Sequence, residues 1–505
     1  QNCPHLLRAT RLCRLLSGFG EIFNDSSGSA MTYQLSEVSE QIDAFVSHNW
    51  SVPRMAKFLC LTYYYYFKVA AIVPVLLILA LGMLGVLQSV PLVEDLSIGQ
   101  RVGILNRVMC VPCATLAMFL WSDISMYLGR PGPRVFLDKT CIPQDDPVLQ
   151  RKGIEKLGAF IAESKGMLAL YSDQYLRRLW TVFEVATFLT LHPAKDLKML
   201  PVEVPVVALS IMWLSWFVQG INICTKIFIE SRYTQSIVST TNCIILLLAF
   251  RVLSRKKANI KASIREFSTK NCLCTQEVDR PVIYRNITLF MRRTLKLRGD
   301  VPQEEVLDAF DELVRMELPA ALTAQMGTFV LPYQQLLILC AYHHLPLCFD
   351  AVAGSMPLEQ WPFHIFVQFS WAFAMTPAIV LLLQVASGMC LKFAGFREVI
   401  WMAILYILGV VSFALVELTF NFTENTELEL LVSTPVVIIV FLGVLVLSSP
   451  VFLRCFREAH ATGAWADLKS LLDRYPHLTA RVSHTGLHPP TETMPVVVDS
   501  GASAS

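Results

Sequence analysis

Residues 70–88 read AAIVPVLLILALGMLGVLQ, without one charged side chain. A run of this length and purity restricts the chain more than any other feature. In lipid it must be a helix, because only a helix satisfies its own backbone there. The first span is accordingly placed at 69–90. Comparable runs lie at 206–229, 364–388, 399–418 and 431–453, each near the roughly 20 residues a bilayer needs. Weaker runs cover 102–122, which holds Arg107, then 236–253, then 328–349, which holds Gln334, Gln335, His343 and His344. Eight spans are expected. Composition agrees: 54% of the 505 residues are hydrophobic and 16% charged, against about a quarter charged in soluble domains.

The connecting segments orient these spans. Lys and Arg collect in 1–62, 125–203, 254–326 and 454–505, whereas 350–362 and 419–430 have none and 89–100 carries only Glu94 and Asp95. The positive-inside rule then puts both termini and the long basic segments in the cytosol. Arg101 and Arg107, at the outer end of the second span, run against it. Asn421-Phe-Thr423 is a glycosylation sequon on the outer side, but Asn24, Asn49 and Asn286 head sequons on the inner side, so sequons do not decide orientation. The first 30 residues contain no signal-peptide core. A net charge of +2 gives no argument for nucleic acid.

The expected organisation is an N-terminal cytosolic segment (1–37) and an α/β unit made of 38–62 plus 125–203. A two-span hairpin (69–122) is inserted in that unit. A second hairpin (206–253), a basic then helical cytosolic segment (254–326), four spans (328–453) and a largely disordered tail (454–505) follow. In the α/β unit, IDAFVSHNW (42–50), RVFLDKTCIPQDD (134–146), GMLALYS (166–172) and LKMLPVEVP (197–205) read as strands. Helical spacing lies between them, at 54–59, 149–164 and 174–191. Such alternation predicts a parallel sheet with ligands at the carboxyl ends of its strands. Ser47, His48, Asn49, Asp138, Lys139 and the 140–147 loop fall there. PQEEVLDAFDELVRMELP (302–319) predicts an amphipathic helix with Val306, Leu307, Phe310, Leu313 and Val314 on one face. Arg255, Lys256 and Lys257 open a juxtamembrane basic cluster, which reads as topology and contact with anionic lipid. No Cys or His set has zinc spacing: Cys110 and Cys113 lie in an apolar run without His, and Cys272 and Cys274 are one residue apart. The fourteen cysteines read as reduced thiols.

Three blocks in this order, DAFVSH, VFLDKTCIPQDD and ESKGMLALYSDQYLRRLW-TVFE, resemble the TIR (Toll/interleukin-1 receptor) domain. Trp180 and Glu184 match two positions of its W-C-x-x-E helix signature, with Thr181 in place of the Cys. The resemblance implies a cytosolic, flavodoxin-like TIR-type sheet; with the apolar runs, the expected fold is a multi-pass α-helical membrane protein whose α/β domain is split by a transmembrane hairpin. The resemblance also implies self-association and, in some members, cleavage of nicotinamide from NAD as substrate, with no prosthetic group. Glu184 would then hold the nicotinamide ribose and stabilise an oxocarbenium-like state, its pKa raised by burial. Ser47, His48, Asn49, Asp138, Lys139 and Trp180 would line the same mouth, under the 139–147 loop. The chain departs from the family in the inserted hairpin and in re-entering the membrane near residue 206, where a fifth strand belongs; 254–326 is the segment left to complete the fold.

Plainer roles stand beside these. Glu184 pairs with Arg177 or Arg178, Asp138 caps its loop, His48 ends a strand, and Trp180 is core. Two other functions therefore compete with an NAD glycohydrolase. One is a non-catalytic TIR-type scaffold. The other is a transporter or channel with an accessory domain, although ionisable groups are scarce in the spans apart from Glu417.

Overall fold

The computed structural model describes residues 7–86, 98–192, 196–228, 234–274, 280–295 and 301–326, with Glu277 and a few isolated positions between 338 and 400. The expected spans at 364–388, 399–418 and 431–453, most of 328–349, and the tail helix at 463–474 lie outside the described residues.

The chain opens with β1 (Arg8–Arg11), α1 (Leu12–Gly20, its winding broken at Ser17–Phe19), a 3-10 turn (Glu21–Phe23), α2 (Ala30–Gln34), β2 (Ser36–Val38) and β3 (Ala44–His48). Two long helices follow, α3 (Arg54–Val86) and α4 (Ile98–Tyr127), which pack side by side. Next come β4 (Arg134–Phe136), α5 (Asp138–Cys141), α6 (Pro147–Glu155), α7 (Leu157–Ala162) and β5 (Met167–Tyr171). A 3-10 turn (Tyr175–Arg177), α8 (Leu179–Leu191) and β6 (Leu197–Pro201) complete the sheet. Then α9 (Glu203–Phe228) and α10 (Thr234–Arg265) run together, followed by α11 (Arg280–Leu295) and α12 (Gln303–Met326).

The sheet has six strands in the order β2-β1-β4-β3-β5-β6. Four neighbouring strands, β4-β3-β5-β6, are parallel, as expected: Ala44 pairs with Val135, Ser47 with Ala169, and Leu168 with Lys198. Two expectations need correction. The sheet is mixed, because β1 pairs antiparallel with both β4 and β2. The segment 1–37 is also not separate, since β1 and β2 are the sheet's own edge. The 33–38 stretch lacks the apolar run of a buried strand, so its pairing was not legible.

Period-2 alternation divides the core in two. Phe45, Phe136, Met167, Ala169, Tyr171, Leu197 and Met199 face one side, where α7, α8 and the 254–326 helices cover them. Ala44, Val46, Val135, Leu137, Leu168 and Leu170 face the other, against α1, α3 and α9. Phe45 and Phe136 stack at 4.6 Å, and Phe160 lies 4.5 Å from Phe136. The amphipathic reading of α12 holds, since Val306, Leu307, Phe310, Leu313 and Val314 are all buried in the first cluster. The segment 254–326 therefore completes the unit with helices, adding no strand among the described residues.

The helix expected to open after Pro53 and the first apolar run are one element, α3, which continues through Pro74. Among the described residues, Arg54–Leu81, Leu105–Tyr127 and Glu203–Ile221 are long and apolar enough to cross a membrane. They belong to a mostly helical protein with an α/β domain. The helix expected at 149–164 is broken at Lys156 into α6 and α7. That expected at 174–191 is a 3-10 turn and α8, separated by the extended Arg178.

Candidate functional site

Ser47, buried near the carboxyl end of β3, points to the face covered by α8. Its Oγ donates to Glu184 Oε2 at 2.5 Å and also meets the Tyr175 hydroxyl. Tyr175 is held in place by the 3-10 turn before α8, and Thr181 Oγ1 closes that turn by donating to the Tyr175 and Arg178 carbonyls. Burial pushes the Glu184 carboxyl up to about 8; the negative Asp138 adds to this, and the Ser47 hydrogen bond opposes it. Glu184 is thus a neutral acid at pH 7. It makes no pair with Arg177 or Arg178: Ser47 is its one side-chain hydrogen-bond partner among the described residues. Trp180, one turn earlier on α8, packs against the core with its ring 6.1 Å from Phe183, edge to face, which is the core role weighed for it.

His48 points the opposite way, as the next residue on a strand must. Its ring meets Trp50 at 4.5 Å and Phe23 at 5.9 Å, both edge-on. Burial holds His48 neutral, with its pKa down to about 4; Asp138 opposes that shift and Lys57 adds to it. Lys57, wholly buried on α3, reaches the Trp50 carbonyl at 3.5 Å and lies 4.5 Å from the centre of the Trp50 ring. Asn49 accepts from the Ser51 N–H at 3.0 Å. Two buried nitrogens, His48 Nε2 and Asn49 Nδ2, have no hydrogen-bond partner among the described residues.

The expected single mouth is therefore two clusters on opposite faces of β3. Asp138, just past β4, is within electrostatic reach of both Glu184 and His48. Its Oδ2 accepts from Trp50 Nε1 at 3.0 Å and its Oδ1 from the Lys139 N–H at 2.7 Å, which is the capping role. Lys139 turns away from the strand ends. Its ammonium donates to the Ile22 carbonyl at 3.1 Å, the Asp25 carbonyl at 3.0 Å and Asp25 Oδ1 at 3.1 Å.

The 139–147 loop is not free to close. Its first residues wind into α5, and Asp146 caps α6 by accepting from Val148 N at 2.8 Å and Leu149 N at 3.0 Å. Gly28 presses on it so closely that a Cβ there would fall 2.2 Å from Gln144 Cγ. Two cavities among the described residues lie elsewhere, one between α3, α4 and α9 and one beside the 130–132 turn. Among the described residues, no group of three or more His, Cys, Asp or Glu could hold a metal. The described cysteines are free thiols, as expected.

Sequence reasoning missed Trp50, Lys57, Tyr175 and Asp25. Lys57 left a usable trace: it is a lone cation in the apolar run MAKFLCL. Of the basic cluster, Lys256 is engaged by the domain, donating to Asp173 Oδ2 at 2.6 Å with Glu203 3.6 Å away.

Comparison of the chain with protein-family models, curated proteins and solved structures gives no match.

Proposed function

We propose that this chain is a multi-pass membrane protein whose cytosolic, TIR-like α/β domain signals by consuming NAD, with Glu184 as the key carboxylate. The observation that carries the reading is the placement of Glu184. It is a carboxyl without a cation partner, fixed by Ser47 at the carboxyl end of a central parallel strand, where α/β sheets bind ligands. Sharing the site with Asp138 and Ser47, it is suited to a developing positive charge at a ribose C1′. Asp138 orients, Asn49 and His48 offer unfilled hydrogen-bonding capacity, and Lys139, once released from Asp25, offers an ammonium to a diphosphate. The domain self-associates, and Arg255 and Lys257 face anionic lipid.

The test is NAD consumption by the purified full chain in nanodiscs. Wild type should release nicotinamide, Glu184→Gln should release none while remaining folded by circular dichroism, and Asp138→Asn should be slowed less. Because the acting form is the carboxylate, the rate should climb as pH rises through about 8. Wild-type protein that leaves NAD intact, even when clustered, overturns the enzymatic reading.

A second reading, a non-catalytic TIR-type scaffold, is favoured by one feature. Ser47 already fills the space beside the Glu184 carboxyl, with the Tyr175 hydroxyl behind it.

A further inference from the structure

α4 ends at Tyr127, and the chain reverses through Gly129 and Gly132, whose φ values of 69° and 75° favour glycine. The turn is pinned from both sides. The Arg130 N–H bonds the Ser125 carbonyl at 2.8 Å, Cys13 N–H bonds the Pro131 carbonyl at 3.4 Å, and Leu12 N–H bonds the Pro133 carbonyl at 3.0 Å. This rigid turn, Trp121 of α4 and Tyr66 of α3 enclose a half-open recess of about 370 Å³. Arg130 lines it, exposed, and its guanidinium has no hydrogen-bond or ion-pair partner among the described residues.

The level of this recess along the helices is informative. Tyr63–Tyr66 on α3 and Trp121 and Tyr127 on α4 bring aromatic side chains together where the apolar helices meet the α/β domain. Tyr and Trp collect at such a level at the boundary of a bilayer. Leu116, Leu120 and Ile124 lie exposed along α4, a track of apolar surface leading to the recess. Tyr127 and Leu128, 91% and 57% exposed at the turn, are oriented for the same boundary. The nearest acid on α4, Asp123, is occupied by Ser17, whose hydroxyl donates to it at 3.0 Å. The basic residues of the adjoining edge are also engaged: Arg11 with Glu37 at 2.9 Å, and Arg14 with the Leu35 carbonyl at 3.0 Å. Arg130 is the one cation lining the recess among the described residues.

We propose that this recess seats the headgroup of one phospholipid of the domain-side leaflet, with its phosphodiester on the Arg130 guanidinium and an acyl chain along Leu120 and Leu116. A planar guanidinium matches phosphate oxygens in a bidentate manner. The aromatic walls take the glycerol and upper acyl region. The inference rests on the reading of α3 and α4 as membrane helices, not on the NAD reading.

Native mass spectrometry of the detergent-purified full chain tests it. Through stepwise delipidation, wild type should retain one phospholipid per chain. Arg130→Gln and Arg130→Glu should lower its occupancy by about tenfold, the loss expected for a charge-assisted contact. Arg285→Glu, an exposed cation on α11, should leave occupancy unchanged. Addition of inorganic phosphate should not displace the lipid. Circular dichroism of each variant checks that the fold is retained, and Trp121→Leu gives a second route to weaken the seat should either Arg130 change impair folding. Equal retention by wild type and a folded Arg130 variant overturns the proposal, as does displacement by inorganic phosphate. Release of the chain from membranes by alkaline carbonate, without detergent, would instead remove the membrane reading beneath it.

Discussion

Glu184 and His48 lie one strand residue apart in their anchoring, yet they tune stability in opposite directions. The pKa of Glu184 in the fold, about 8, is above the ordinary carboxyl value, so the folded chain binds its proton more tightly than the unfolded chain does. Its contribution is complete below about 4.5 and is lost as pH rises to about 8. The pKa of His48, lowered to about 4 from 6.5, works the other way: its contribution is complete above 6.5 and is lost as pH falls to about 4. The two slopes oppose each other below 6.5, and above it Glu184 acts alone. Thermal melts of the full chain should therefore fall in midpoint from pH 6.5 to 8, and Glu184→Gln should flatten that fall. Glu184→Gln should also melt higher than wild type at pH 8, because the amide keeps the Ser47 contact without a buried charge. His48→Gln should flatten the acid side between pH 4 and 6.5. The oddity of Glu184 was legible in the sequence as an acid on an apolar stripe. Its partner was not, because Ser47 is far away in sequence and arginines next to Tyr175 were the nearer candidates.

At the scale of elements, β3 explains why one expected mouth became two clusters. The residue types were right, but consecutive strand residues cannot share a face, so Ser47 joins α8 while His48 joins α3. The strands themselves were legible, since AFVSH, RVF, MLALY and LKMLP carry the apolar runs of a buried parallel sheet. β1 and β2 were not, because RATR and SEV are short and polar-flanked, and β1 is ordered by β4 and β2 only by β1. Phe136 joins two layers by touching Phe45 and Phe160. Phe136→Ala should cost about 3–5 kcal/mol, the usual loss for a large buried aromatic, and chemical denaturation should show it as a lowered midpoint with little change in slope. α12 should prove as important as any strand. Phe310→Asp would set a charge in the cluster shared with α8 and the sheet, and should abolish accumulation of folded protein in a fluorescence-detected size-exclusion assay.

For the whole molecule, the single sheet takes strands from before α3 and after α4, so those two helices leave and return on one side. α9 and α10 repeat the pattern, because Ile260 and Ile264 of α10 come back to the core of the same domain. The eight crossings proposed from the loop charges would put both termini on that side too. In sealed vesicles with the domain side outward, protease should remove a tag at Ser505 as well as one at Gln1; protection of the Ser505 tag would require an odd number of crossings. The apolar runs made the long apolar helices legible. The fusion of the domain's first helix with the first span was not, since Tyr63–Phe67 satisfies a soluble core and a lipid boundary equally well.

Ala44 pairs with Val135, and everything between them passes through α3 and α4. During synthesis β3 therefore emerges well before its neighbour and waits with bare edges until the apolar hairpin has been threaded and β4 has followed. On the proposed membrane reading, insertion of the hairpin would precede closure of the sheet. A copy whose hairpin is misplaced would leave one edge of β3 without its β4 partner.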